Sequence, residues 1–161
     1  MTQKQVLPAF VLVSNPTVRW PVSVQVPVDG GASTEYGFTG TFRVLSESDL
    51  AAALPARTEE DLNKRKWVDV LAENAECLPR VMVGWDVLDP DGRPVPIEQL
   101  PAALTGPHGK WLAAGIHQAI LQIRLGLPAR PPAIEGNSPT APESGSAAQS
   151  DDPDPMSSKT T

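Results

Sequence analysis

The sequence predicts an α+β domain: an N-terminal antiparallel β-hairpin or small sheet, then a helical C-terminal half, then a disordered tail. Three observations predict it. Two runs in the first third alternate apolar and polar residues. Apolar residues recur at helical spacing from Trp67 onward, and the chain from Pro128 on loses nearly all of its large apolar residues. A half-buried strand has a period of two and a helix packed on one side a period of 3.6, so the two halves obey different rules.

The first alternating run, residues 18–28, places Trp20, Val22, Val24, Val26 and Val28 on one face and Arg19, Ser23 and Gln25 on the other. Asp29-Gly30-Gly31 is a turn signal. The second run, residues 34–45, sets Tyr36, Phe38, Phe42 and Val44 against Glu35, Thr39, Thr41 and Arg43. Together they form a hairpin whose apolar face something must cover. Pro21 and Pro27 are both odd-numbered and remove two N–H donors from the same strand edge, which predicts an edge strand paired through its even-numbered residues. The apolar run at residues 6–13 reads as a short buried strand limited by Pro8.

In the helical half, Ser46 to Asp49 resembles a capping box opening a short helix, Leu50 to Leu54, that Pro55 stops. Thr58-Glu59-Glu60-Asp61 opens the next, with carboxylates at the positive end of the helix dipole. Trp67, Val70, Leu71, Ala75 and Leu78 continue at helical spacing. After Pro79, residues 80–88 fit a helix extension and a strand equally. Asp89 to Gly92 is a turn, Arg93 to Pro96 extended, and Ile97 to Leu104 a short helix. A final helix starting near Pro107 buries Leu112, Ile116, Ile120 and Ile123, with Trp111, Ala119 and Leu121 widening the stripe.

The chain has 161 residues, 18 prolines and 12 glycines, enough for one ordinary domain. No aromatic residue follows Trp111, and the last aliphatic one is Ile134. Residues 128–161 therefore cannot bury enough apolar surface to offset the entropy of ordering them, and residues 1–127 form the folded body. Half of the formal net charge of −6 lies in the tail. A mildly acidic body is a poor match for phosphate backbones, so no nucleic acid is expected. Lys64-Arg65-Lys66 follows Glu59-Glu60-Asp61 and reads as a solvated helical face. No apolar run has the length of a signal peptide or a membrane span, which predicts a protein kept in a reducing cytoplasm.

Residues able to do chemistry are few. His108 and His117 are nine positions apart, which does not place them on one helical face as a metal pair. His108 reads as an exposed helix-start residue and His117 as a partly buried, hydrogen-bonded one. Cys77 is the single cysteine and reads as an inert thiol. Asp89 and Asp91 belong to a Pro-Asp-Gly turn and lack the spacing of a calcium loop. Gly30-Gly31 joins strand to strand, not strand to helix, and so is no phosphate loop. No acid, base and nucleophile assemble, so no catalysis, cofactor or metal is expected. Trp20, Trp67, Trp85 and Trp111 are many for so small a body, which predicts at least one at a subunit contact.

The stretches Asn15 to Gly31 and Phe38 to Ser46, then residues 81–97 (VMVGWDVLDPDGRPVPI) and the helix of residues 104–125, together resemble the tail assembly chaperones of long-tailed bacteriophages. The chain departs from that pattern at Ile97, where a phenylalanine is frequent, and in its longer tail. The resemblance implies a non-enzymatic protein of the bacterial host cytoplasm, absent from the mature virion. Its expected partners are the tape measure protein, the tail tube protein through a frameshifted longer product, and further copies of itself in a ring or spiral. Trp85, Trp111, Ile116 and Ile120 are the expected protein-interaction residues. A structural virion component, such as a minor tail or head-completion protein, is the alternative role, and a small-molecule hydrolase the third.

Overall fold

The computed structural model describes residues 7–129. The predicted tail therefore lies, from residue 130 on, outside the described residues. The described chain is α+β, with three strands and five α-helices in the order β1 (Thr17–Val28), β2 (Ala32–Arg43), α1 (Glu47–Ala53), α2 (Glu59–Lys64), α3 (Trp67–Cys77), β3 (Met82–Trp85), α4 (Leu100–Thr105) and α5 (Gly109–Leu125). Single 3₁₀ turns, Leu78–Arg80 and Ile97–Gln99, join α3 to β3 and lead into α4.

The sheet is antiparallel, in the order β1-β2-β3. The hairpin turn runs through Gly30 and Gly31 at φ of +86° and +79°, a region closed to most side chains, and sets the register Trp20↔Gly40 and Val22↔Phe38. Thr39 turns its backbone to the third strand, accepting from Asp86 N at 3.1 Å and donating its own N–H to Asp86 Oδ1 at 2.6 Å. Odd-numbered residues of β2 thus face β3, and even-numbered ones face β1. Pro21, opposite Thr39, consequently points its missing donor away from β2, as does Pro27. β1 is the edge strand that its prolines predict.

Residues 80–88, which fit two structures in the sequence, contain strand β3. It is short because Asp86 leaves the ladder to bond Thr39, after which residues 87–95 fold back on themselves. Val95 N donates to Val87 O at 2.9 Å, and Asp89 Oδ1 accepts from Asp91 N and Arg93 N, both at 2.9 Å. Gly92, at φ +76°, closes that turn.

One face of the sheet is open and carries the odd-numbered residues of β1, all of them exposed. The other is covered chiefly by α5. Gly115 permits this: a β-carbon there would stand 2.5 Å from the Ser23 carbonyl oxygen and 3.1 Å from Val24 Cγ2. The core between sheet and helices holds Val22, Phe42, Leu78, Met82, Leu100, Leu104 and Ile116, each at most 2% exposed. Trp20 Nε1 donates to Gln122 Oε1 at 2.9 Å and ties β1 to the C-terminal end of α5. Gly126, in the left-handed region at φ +63°, ends that helix.

Four expectations need correction. Residues 7–13 form no strand and are exposed. Pro21 and Pro27 remove donors from the free edge of β1, so a strand added there would find an incomplete ladder. The helix opened by Thr58 does not run on through Trp67: α2 stops at Lys64, Arg65 and Lys66 are extended, and α3 starts afresh. The four polar residues Asn63 to Lys66 give a continuous helix no apolar face to bury, and no residue of α2 is buried. The helix expected at Ile97 to Leu104 begins as a 3₁₀ turn, because Pro101 is tolerated only in the first turn of α4. Finally, Val28 and Tyr36 lie beyond the reach of α5 at the hairpin tip and are exposed.

Candidate interaction site

Two features stand apart from the core, an apolar arm and a cleft. The arm is residues 7–13, with Leu7, Phe10, Val11, Leu12 and Val13 at 63–89% exposure. It joins the body at Pro16, whose carbonyl accepts from Val44 N at 2.9 Å just past the end of β2. Pro8 favours an extended backbone at the residue before it and denies a donor to any neighbour.

The cleft, of about 450 Å³, lies between α1, the loop of residues 54–57, α2, α3 and α5. Leu50, Leu54, Leu62, Ile120 and Leu121 are its principal apolar walls. Glu47 and Arg124 face each other at its rim, their paired oxygens and nitrogens 3.0 and 2.5 Å apart, and the carboxylate raises the guanidinium pKa. A buried polar side chain, Asn74, organises the floor. Its Oδ1 accepts from Arg57 Nη1 at 3.2 Å and contacts His117 Nε2 at 3.1 Å. Because that oxygen can only accept, the imidazole carries its proton on Nε2. Burial first, and the neighbouring Arg57 charge second, lower the His117 pKa and favour the neutral ring. Arg57 also pairs with Glu73 through Nη2 at 3.0 Å, yet its Nε is buried without a hydrogen-bond partner.

The expected interaction residues divide unevenly. Trp85 is partly buried, donates from Nε1 to Val95 O at 2.7 Å and meets Phe38 edge-on at 6.0 Å between centroids. Trp111 is partly buried beside His108, 5.8 Å away. Ile116 is fully buried, and Ile120, 8% exposed, reaches the outside only as a cleft wall. The apolar stripe of α5 to which these two belong packs into the protein's own core, as its spacing predicts, so they do not form an outer face. Compared with protein-family models, curated proteins and solved structures, the chain matches none.

The tryptophan that does reach solvent is Trp67, 59% exposed at the start of α3, with Lys110 Nζ 4.8 Å from its ring centroid and Val68 beside it at 73%. Sequence periodicity placed Trp67 in the helix stripe, because spacing cannot tell the first turn of a helix, which overhangs the core, from its middle. The arm was legible as an apolar run. That it lacks a neighbour was not legible, since the same run reads as a buried strand and only the structure shows it exposed. The remaining chemistry-bearing residues lie apart: His108 is exposed at the start of α5, and Cys77 is buried in α3 against the cleft. Among the described residues no group of three His, Cys, Asp or Glu side chains could hold a metal ion, and no helix is long and apolar enough to cross a membrane.

Proposed function

We propose that this protein is an assembly chaperone of the phage-tail kind: it binds the tape measure protein in the host cytoplasm, helps recruit tube subunits and leaves before the virion is complete. The observation that carries this reading is the arm, a run of large apolar side chains that a lone chain leaves in water. Exposed apolar surface of this extent marks contact with other polypeptides. Trp67 and Val68 add a second such place on the helical side. A tape measure chain is long and helical, so a protein that coats it needs apolar contacts without sequence readout, repeated over many copies whose weak affinities combine. The stretches that resemble tail assembly chaperones are spread over the folded body, from Asn15 to residue 125.

Coexpression tests it. The protein should move the tape measure protein from the insoluble to the soluble fraction, and Trp67→Ala with Val68→Ser should reduce that effect without lowering the chaperone's own solubility. A tape measure protein that stays as insoluble as before would remove the reading. Mass spectrometry of purified virions separates it from a structural virion component, which would be retained.

A further inference from the structure

We infer that the arm of one copy, residues 7–13, docks into the α1–α5 cleft of a second copy, and that this exchange is the self-association contact of the protein. Each chain carries one apolar segment with nothing to cover it and one apolar cleft with nothing to fill it. The two are chemically matched. The arm is uncharged from Leu7 to Val13, so it brings no charge among Leu50, Leu54, Leu62 and Leu121.

Length and attachment agree with the match. Seven extended residues reach about 23 Å. The arm leaves the body at Pro16, next to the start of α1, and Glu47 on α1 already forms the cleft rim. One arm alone is small beside the about 800 Å² per partner of a stable interface, so reciprocal exchange between two copies, or repetition along a row, supplies the remainder. The inference rests on the arm and the cleft and holds whether or not the client is a tape measure protein.

The test is the mass of the full-length protein in solution, by sedimentation or light scattering, with no client present. The wild type is expected at two chains or more. Phe10→Ser with Leu12→Ser removes apolar bulk from residues that touch no core, and Leu121→Glu places a charge on a half-exposed cleft wall. Each variant is expected at the single-chain mass of 17.1 kDa. Mixed in equal amounts they retain one intact arm and one intact cleft, so at the highest concentrations the mixture, unlike either variant alone, should rise above the single-chain mass, though it associates more weakly than the wild type. Ala51→Arg, at an exposed cleft position, serves if Leu121→Glu does not fold. A monomeric wild type would overturn the inference. So would arm or cleft variants that keep the wild-type mass, or a mixture that does not recombine. Wild-type protein that self-associates as expected yet leaves the client insoluble would count against the chaperone reading alone.

Discussion

Gly115 on α5 approaches the backbone of Ser23 on β1 so closely that a β-carbon at Gly115 would lie 2.5 Å from the Ser23 carbonyl oxygen. The obstacle is backbone in the edge strand, not the end of a movable side chain. Helix and sheet must therefore separate if the position gains a methyl group. Gly115→Ala is expected to destabilise the body by about 1–3 kcal/mol, read as a lower urea midpoint at unchanged slope. Gly37→Ala is the control: its β-carbon would meet only Val22 O, at an ordinary 3.6 Å, and the midpoint should hold or rise.

The same helix is fastened further along by Trp20 Nε1 and Gln122 Oε1, residues 102 positions apart. The bond is partly buried, so its net contribution is that of an ordinary neutral hydrogen bond, about 1 kcal/mol. Trp20→Phe and Gln122→Ala should each lower stability by somewhat more than this, because each also removes packing. The double variant should fall short of their sum. A coupling close to zero in the double-mutant cycle would show that the two side chains act independently.

These two contacts mark the boundary of what the sequence discloses. Alternation placed both hairpin strands, and the two odd-numbered prolines gave the sheet edge, because strand geometry fixes which way each N–H points. Capping residues located the starts of α1 and α2, since Ser46 and Thr58 each accept from the backbone N–H three residues on. The proximity of Gly115 to Ser23 was not legible, because a glycine in a helix gives no sign of which strand will press on it. The cleft was not legible either: Arg57, Asn74 and His117 come from three segments, and only packing brings them together. Ile116 and Ile120 were expected both in the buried stripe of α5 and as contacts, and spacing does not choose between the two, because an apolar stripe looks the same whether a partner or the chain itself covers it.

Pro21 and Pro27 lie on the open edge of β1, and both are exposed. Without them the edge would present an unbroken row of donors to any other strand. Pro21→Val with Pro27→Thr should leave the urea midpoint nearly unchanged, since neither proline faces β2. Time-dependent light scattering should nevertheless rise as edges pair between molecules. If the double variant stays as clear as the wild type, the prolines do not protect that edge.

His117 gives the protein a pH dependence whose sign follows from its surroundings. Burial and the Arg57 charge lower its pKa below the ordinary value of 6.5, so the unfolded chain takes up the proton before the folded one does. Where the unfolded state binds more protons, stability falls as pH falls. The contribution of the neutral ring is thus fully present above about pH 6.5, is lost progressively as pH drops from there toward the folded pKa, and changes no further below it. Urea midpoints taken from pH 7.5 down to the mid-acid range should decline, and the decline should shrink in His117→Gln, which cannot titrate. Arg57→Gln removes the second of the two causes and should make the decline smaller, with its onset unmoved and its levelling-off at higher pH, because the folded pKa then lies nearer to its ordinary value. If His117→Gln declines as steeply as the wild type over this range, the proton is taken up elsewhere and the ring does not set the pH response.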